Sequence, residues 1–343
     1  MLIIDGHEDL AYNGVELERR IAGPLEAMRE QEGTPPAHGE GTATVSLPAL
    51  RGADIRLVLA TIFTYPARAA GPLPGYSTPD EAFARAGAQL AYYRRLHERW
   101  EVTLVGNQSD LNAVLAQHRP TPGLCLLLEG ADPLRTPADL GVFVRAGVRI
   151  IGLAWKATRY AAGTGAPGPL TDLGRELLRE MNRLELALDV SHLAEEAFWQ
   201  ALEIFHGRVI ASHANCRALV PGDRQLSDDM IRAIADRDGV IGLVCYNRFV
   251  RAGWTAQEGK DAVGFADLRR HADHLMTLVG PRHIALGSDL DGGIGREDVP
   301  REIDSVADLP RFAETLTAAG YRPVDIAAIM GGNWLRVLRA ILR

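Results

Sequence analysis

The chain has 343 residues, of which 47% are hydrophobic and 24% charged, as is usual for soluble globular proteins. Its formal net charge of -7 argues against a nucleic-acid partner, because phosphate binding favours a basic surface. The three cysteines, Cys125, Cys216 and Cys245, contain no C-x-x-C pair, so neither a disulfide framework nor a zinc ribbon is predicted. Cys125 and Cys245 lie inside apolar runs and are expected to be buried.

The start of the chain, MLIIDGHED, lacks a basic region followed by a long apolar segment. In addition, no apolar stretch approaches the roughly 18–20 residues that a membrane-spanning helix needs. We therefore expect no signal peptide, no membrane partner and a cytoplasmic location.

Eight short apolar runs alternate with longer segments that have apolar residues at helical spacing. The runs predict strands at 2–5, 55–63, 124–129, 148–155, 187–191, 208–212, 239–246 and 283–289. The segments between them predict helices at 80–99, 136–146, 171–184, 194–206, 227–237, 265–279 and 308–318. Sustained alternation of this kind favours a parallel α/β sheet. A further run at 100–106 predicts an extra strand outside that sheet.

Potential metal ligands lie at the ends of runs 1, 3, 5, 6 and 8. They are His7, Asp9, Glu129, His192, His213 and Asp289. An open sheet gathers functional groups at one switch point, whereas a closed barrel brings the ends of all its strands around one centre. The sequence therefore predicts an α/β fold of the distorted TIM (β/α)8 barrel type. We expect a single domain over residues 1–343, built as a metal-dependent hydrolase, with loop insertions near 11–50 and 64–120.

Residue spacing supports a cation site at the first and third runs. On an extended strand end, residues i and i+2 point the same way, so His7 and Asp9 can bind one ion. Glu129 follows the buried-looking run LCLLL, where a carboxylate is costly unless it is paired or binds a metal. A salt bridge from Glu129 to an arginine is the alternative.

His192 and His213 share one pattern, an apolar run followed by Ser and His. The alternative to metal binding is a pair of core histidines that bond backbone carbonyls. Asp289 ends the last run and is well placed as a general base or proton shuttle. Asp291 follows at i+2 and is equally well explained as a turn residue. The Gly/Pro-rich segment 160–170 predicts a loop on the active-site face.

Several motifs, in this order, resemble the membrane (renal-type) dipeptidase family, which are zinc dipeptidases of the amidohydrolase superfamily. They are DGHEDL, LLLEG, LTDLGRELLREMNRL, LDVSH, VIASHANCRAL, GVIGL and GSDLDG. The resemblance runs from residue 2 to GGNWLRVL at 331–338. It implies a binuclear zinc site in a distorted barrel, hydrolysis of small dipeptides including L-Xaa-D-Xaa, and a homodimer in many members.

The resemblance also implies roles for individual residues. His7 and Asp9 would bind one zinc ion, His192 and His213 the other, and Glu129 would bridge both. Asp289 would move a proton from the attacking water to the leaving amine. The substrate would be contacted by three residues: Arg224 at its terminal carboxylate, Tyr246 in the pocket, and Trp155.

Trp155 stands where the family has a histidine that helps to bind the substrate carbonyl, and tryptophan cannot accept a proton. Lys156, Thr158 or Arg159 are candidates for the missing role. Two other departures are Glu8 in place of Asn and Ala131 in place of a second glycine.

Other functions remain open from the sequence alone. They are hydrolysis of a cyclic amide, lactone or N-acyl amino acid, a bridging carboxylated Lys156, a mononuclear deaminase, and a metal-binding barrel without catalysis.

Overall fold

The computed structural model describes residues 1–36, 38–69, 74–117 and 121–342. Its central element is a parallel sheet of eight strands, each close to a predicted run. They are β1 Ile3–Glu8, β2 Ile55–Phe63, β3 Gly123–Glu129, β4 Val148–Gly152, β5 Ala187–Asp189, β6 Val209–Ile210, β7 Ile241–Leu243 and β8 Ile284–Leu286.

The sheet closes into a barrel. Its hydrogen-bonded order is β7-β8-β1-β2-β3-β4-β5-β6. An isolated parallel bridge between Ala211 and Ile241 joins the two ends, with Ala211 N–H donating to Val240 O at 2.9 Å. The predicted distorted (β/α)8 barrel is thus confirmed. Closure also explains why strand ends far apart in the chain meet at one rim.

Helices surround the barrel and follow most of its strands. They are α1 Leu10–Val15, α2 Leu25–Glu32, α3 Leu47–Gly52, α4 Pro79–Glu98, α5 Gln108–Ala116, α6 Leu140–Arg145, α7 Asp172–Arg183, α8 Glu195–Ile204, α9 Asp228–Asp236, α10 Asn247–Val250, α11 Phe265–Val279, α12 Phe312–Ala318, α13 Pro323–Ala327 and α14 Asn333–Ile341. Among the described residues, no helix is long and apolar enough to cross a membrane.

Alternate residues along the strands pack into two different hydrophobic clusters. Leu57, Leu59, Cys125 and Leu127 belong to a cluster that includes residues of α14. Their neighbours Val58, Ala60, Leu124 and Leu126 pack in the larger cluster with the surrounding helices. Strand side chains alternate between two faces, so each apolar run is buried on both sides. Cys125 and Cys245 are fully buried, as predicted.

Two segments differ from their predictions. The predicted loop at 160–170 contains an antiparallel hairpin of Ala161–Gly163 and Ala166–Leu170, which the Gly/Pro content hid. The insertion at 11–50 contains α1, α2 and α3 rather than loop alone. The predicted extra strand is confirmed as Thr103–Leu104, which pairs with β3 outside the closed path. The insertion near 64–120 lies partly outside the described residues.

Candidate metal centre

Side chains from five strand ends form one buried cluster of ligand atoms. The atoms lie within 4.8 Å of one another in each of three groups: His7, Asp9 and Glu129; Glu129, His192 and His213; and His7, His213 and Asp289. All six residues were predicted from the sequence, and the structure brings them together. Glu129 belongs to two of the groups, so it lies between the β1 ligands and the two later histidines.

The two oxygens of Glu129 face different partners. Oε2 lies 3.4 Å from His7 Nε2, whereas Oε1 lies 3.2 Å from His192 Nε2 and 3.6 Å from His213 Nε2. The Nε2 atoms of His192 and His213 are themselves 2.9 Å apart. No arginine forms an ion pair with Glu129 within the described residues, so the salt-bridge alternative is not supported. The arrangement allows one carboxylate to contact two ions.

The electrostatics of the cluster fit a cation. Burial, then the neighbouring Asp189, raises the pKa of Glu129 to about 8. Burial, then the charge of Glu129, raises the pKa of Asp9 to about 7. Burial lowers the pKa of His192 and His213 well below the usual range. Neutral imidazoles facing crowded carboxylates are the ligand set that a divalent metal ion binds, and His7 Nε2 is buried without a hydrogen-bond partner among the described residues.

Hydrogen bonds behind the cluster orient its histidines. Ser212 Oγ donates to Asp189 Oδ2 at 2.5 Å. The same oxygen lies 3.1 Å from His7 Nδ1 and 2.8 Å from His213 Nδ1, so it can accept both ring N–H groups. With the proton on Nδ1, the Nε2 lone pair of each ring faces the cluster. The sequence pattern contained Ser212 but did not reveal this contact.

Two threonines also form hydrogen bonds that hold residues of the cluster in place. Thr61, on β2, donates to Asp9 Oδ1. Thr164, in the turn of the hairpin, lies with Oγ1 3.0 Å from His192 Nδ1. Neither residue was predicted, since a threonine at a strand end or in a turn carries no distinguishing sequence signal.

Asp289 and Asp291 have different surroundings. Asp289 Oδ1 lies 3.8 Å from His7 Nε2, and burial raises the pKa of its carboxyl well above the usual range. Asp291 accepts from Thr44 N–H at 2.6 Å and from Val45 N–H at 2.9 Å. Asp291 therefore anchors the first insertion to the end of β8, in agreement with its interpretation as a turn residue.

A cavity of about 310 Å³ opens above the cluster. The three predicted substrate residues, Trp155, Arg224 and Tyr246, all line it. The Arg224 guanidinium is held by two backbone acceptors, since Nη1 donates to Ser191 O and Nη2 to His213 O, each at 2.7 Å. Glu40, from the first insertion, also lines the cavity and was not singled out from the sequence.

The candidates for the missing histidine role are not equivalent. Thr158 Oγ1 donates to Leu153 O at 2.7 Å, and Arg159 donates to Leu134 O at 2.6 Å, so both are engaged in loop structure. Lys156 is exposed at the cavity, with Nζ 5.4 Å from the centre of the Trp155 ring. Glu129, by contrast, is buried with its oxygens facing three histidines, so the geometry favours Glu129 over a carboxylated Lys156 as the bridge.

Comparisons with known proteins agree with this fold. A solved structure described as the dipeptidase AC, a metallo peptidase of family M19, is 25% identical with a TM-score of 0.83, over 99% of this chain and 98% of that one. A metallo peptidase from Rhodobacter sphaeroides, liganded with a phosphinate mimic of the dipeptide L-Ala-D-Ala, is 24% identical with a TM-score of 0.81, over 99% of both chains.

Curated sequences give a second set of relatives. A protein of Klebsiella pneumoniae, named as an uncharacterized protein in the pqqA 5' region, is 39% identical over 212 residues, which are 59% of this chain and 76% of that one. Dipeptidase aclJ of Aspergillus oryzae is 28% identical over 227 residues, 64% of this chain and 52% of that one. The match thus spans about half the length of this dipeptidase.

The closed barrel and its histidine–carboxylate cluster define a metal-dependent hydrolase of the (β/α)8 class. The family described as membrane dipeptidase (peptidase family M19) matches residues 1–342. The chain belongs to this family, which confirms the resemblance noted in its motifs. Family membership and the dipeptidases among its relatives support a metal-dependent dipeptidase.

Proposed function

We propose that this protein is a zinc dipeptidase with two metal ions. His7 and Asp9 would hold one ion, His192 and His213 the other, and Glu129 would bridge them. The observation that carries the proposal is the position of Glu129, whose two oxygens face His7 on one side and the histidine pair on the other. Imidazole and carboxylate ligands suit zinc.

Bound zinc ions would supply water of lowered pKa and polarise the scissile carbonyl. The chain itself supplies the proton transfer. Asp289 lies beside the ligand cluster, and its raised pKa suits a group that takes a proton from water and then gives it to the leaving amine. The closed barrel below the cluster excludes bulk water from that side.

Arg224 supports a substrate with a free carboxylate. Its guanidinium is buried, and two backbone carbonyls fix its direction. Arginine side chains stay protonated in proteins. A planar, fixed guanidinium suits a carboxylate. The cavity volume fits a small molecule rather than a protein chain. The Rhodobacter relative binds a mimic of L-Ala-D-Ala, which favours testing a D-residue on the carboxyl side.

Trp155 changes the wall of this site. Its ring lies 5.2 Å from the ring of Phe63 and 6.2 Å from that of His192, measured between centroids. An indole offers no acceptor for a proton, so Trp155 shapes the cavity as an apolar wall. This departure is the specific reason to keep a cyclic amide, lactone or N-acyl amino acid as the second candidate substrate class.

The proposal is tested by metal content and turnover. We expect about two zinc ions per chain and hydrolysis of L-Xaa-D-Xaa or L-Xaa-L-Xaa dipeptides. If the protein binds two ions but hydrolyses no dipeptide, the proposed metal centre stands and the substrate belongs to the second class. A panel of lactones and cyclic amides would then detect the activity. Absence of metal after purification without chelators would refute the centre itself.

Asp289→Asn provides the sharper test of mechanism. We expect the variant to keep its metal while kcat falls by about 10²- to 10⁴-fold, because the proton acceptor is lost. Asp273→Asn is the matched control, since Asp273 pairs with Arg269 on α11 and does not line the cavity. It should reduce stability and keep most of the kcat. Equal kcat in the wild type and Asp289→Asn would exclude the shuttle role.

We also propose that residues 1–343 form one domain that acts in the cytoplasm as a homodimer. One barrel sheet that includes both the first and last strands supports the single domain. The family resemblance supports the dimer. Limited proteolysis, cell fractionation and light scattering, respectively, would test these three points.

A further inference from the structure

Glu40 places a carboxylate at the wall of the cavity. Its side chain lines the cavity beside Asp9 and Tyr12, and the residue is only 9% exposed. Within the described residues its carboxylate makes no hydrogen bond or ion pair, and it belongs to none of the metal-ligand groups. A carboxylate removed from water in this way is costly unless a ligand compensates it.

The surroundings of Glu40 are aromatic. Burial and then the charge of Glu40 raise the pKa of both Tyr12 and Tyr65. Both tyrosines line the cavity, together with Phe63 and Trp155. A carboxylate beside several aromatic rings is a setting that favours a bound cation, since the ring faces and the carboxylate both attract positive charge.

Among the described residues, no basic side chain forms an ion pair with Glu40. Arg19 is the cationic group whose charge acts on Glu40. Its guanidinium already pairs with Glu32, through Nε at 2.5 Å, and with Asp291, through Nη1 at 3.5 Å. Arg19 therefore already pairs with two carboxylates, neither of which is that of Glu40. Lys156, the lysine that lines the cavity, contacts the Trp155 ring instead.

The two residues that follow Glu40 are held in place by hydrogen bonds. Arg19 Nη2 donates to Gly41 O at 2.7 Å, and Thr42 N–H donates to Glu297 Oε1 at 3.1 Å. A side chain at Gly293 would lie 3.2 Å from Glu40 Oε2, so this glycine leaves room for the carboxylate at the cavity wall. Glu40 is therefore positioned before any ligand arrives.

We infer that Glu40 binds a cationic group on the amino-terminal residue of the substrate, opposite in charge to the carboxylate that Arg224 would bind. The inference rests on the proposed peptide substrate. The cation has two possible sources, the α-ammonium group of a dipeptide or an ammonium or guanidinium group in its first side chain. A free amino terminus, a basic first residue, or both would then be specificity determinants of this enzyme.

Two pairs of isosteric substrates distinguish the two sources of the cation. L-Arg-D-Ala and L-citrulline-D-Ala differ in the side-chain charge, whereas L-Ala-D-Ala and L-lactoyl-D-Ala differ in the α-ammonium group. We expect the wild type to favour the cationic member of at least one pair by about 10- to 100-fold in kcat/KM. Glu40→Gln should bring that ratio close to one, and the pair that responds identifies the source. Unchanged ratios in Glu40→Gln would overturn the inference.

Two further variants serve as controls. Glu40→Asp keeps the charge and should keep part of the preference. Glu16→Gln removes a carboxylate that also acts on Tyr12 but does not line the cavity, so it should leave the ratios unchanged. If Glu16→Gln abolished the preference as fully as Glu40→Gln, a general effect of net charge would replace the inference.

A binding measurement makes the result independent of turnover. Titration calorimetry of the zinc-loaded protein with L-argininamide and L-citrullinamide, and with L-alaninamide and L-lactamide, reports the cation preference without a substrate carboxylate. A preference lost in Glu40→Gln supports the inference even if no dipeptide is hydrolysed, in which case the proposed function alone fails. Equal binding within both pairs by the wild type overturns the inference while leaving dipeptide hydrolysis intact.

Discussion

Ser212 shows how one small residue can orient two histidines of the candidate metal centre. Its hydroxyl donates to Asp189 and lies within hydrogen-bond distance of Nδ1 in both His7 and His213. These contacts select the ring tautomer whose Nε2 lone pair faces the cluster. One residue thereby links His7 of β1 to His213, which follows β6.

Ser212→Ala should weaken metal binding. Loss of the shared hydrogen-bond partner leaves both rings free to rotate, so we expect zinc affinity to fall by about 10- to 100-fold. Competition with a chelator of known affinity measures this change.

Ser227→Ala is the control for Ser212→Ala. Ser227 caps α9 by accepting from Met230 N–H and does not line the cavity. Its loss should cost about 1 kcal/mol of stability and leave zinc affinity unchanged. If Ser212→Ala bound zinc as tightly as this control, the ring orientation would not depend on Ser212.

At the scale of elements, α14 closes the base of the barrel. Trp334 is fully buried there, and its Nε1 donates to Leu286 O of β8 at 2.6 Å. A Cβ atom at Gly6 of β1 would lie only 2.5 Å from the Trp334 ring. The ring therefore packs against the β1 backbone at a distance that only glycine permits. The last helix thus packs directly beneath the strand that carries His7.

Trp334→Ala should destabilise the protein without changing any residue of the candidate metal centre. A cavity of this size in a packed core costs about 3–5 kcal/mol, which chemical denaturation would measure. Val324→Ala, at an exposed position in α13, should change stability by less than about 0.5 kcal/mol. An equally small effect of Trp334→Ala would show that α14 is not part of the cooperative unit.

At the scale of the whole molecule, folding gathers carboxyl groups that carry raised pKa values. The pKa of Asp9 rises to about 7 and that of Glu129 to about 8, mainly through burial. In the unfolded chain both groups ionise near pH 4. Between these values the folded state holds more protons than the unfolded state, so stability without metal falls as pH rises.

We therefore expect metal-free protein to lose stability between pH 6.5 and 8.5. The lowered pKa values of His192 and His213 have the opposite effect, but mainly below about pH 7, where unfolded histidines take up protons, so the carboxylates dominate in this window. Zinc should reverse the loss, because a cation replaces the protons. Chemical denaturation of chelator-treated and zinc-loaded protein at pH 6.5 and pH 8.5 measures both effects. A metal-free protein that is more stable at pH 8.5 than at pH 6.5 would contradict the prediction.

Much of the fold was predictable because its signals are local. Eight apolar runs predicted eight strands, since strands buried on both faces must be apolar throughout. The cluster residues His7, Asp9, Glu129, His192, His213 and Asp289 were predictable because each lies at or just beyond the end of such a run. Helices in the first insertion were missed because they are short and lie among Gly- and Pro-rich residues.

The sequence by itself determined the strand count, the ligand types and their order around the rim. Only the tertiary structure decided barrel closure at Ala211 and Ile241, and the contacts between distant segments. Asp291 holds Thr44 across 247 positions of the chain, and this contact helps to place the insertion that carries Glu40 beside the cavity. Such contacts depend on how separate elements pack, so no local pattern of residues encodes them.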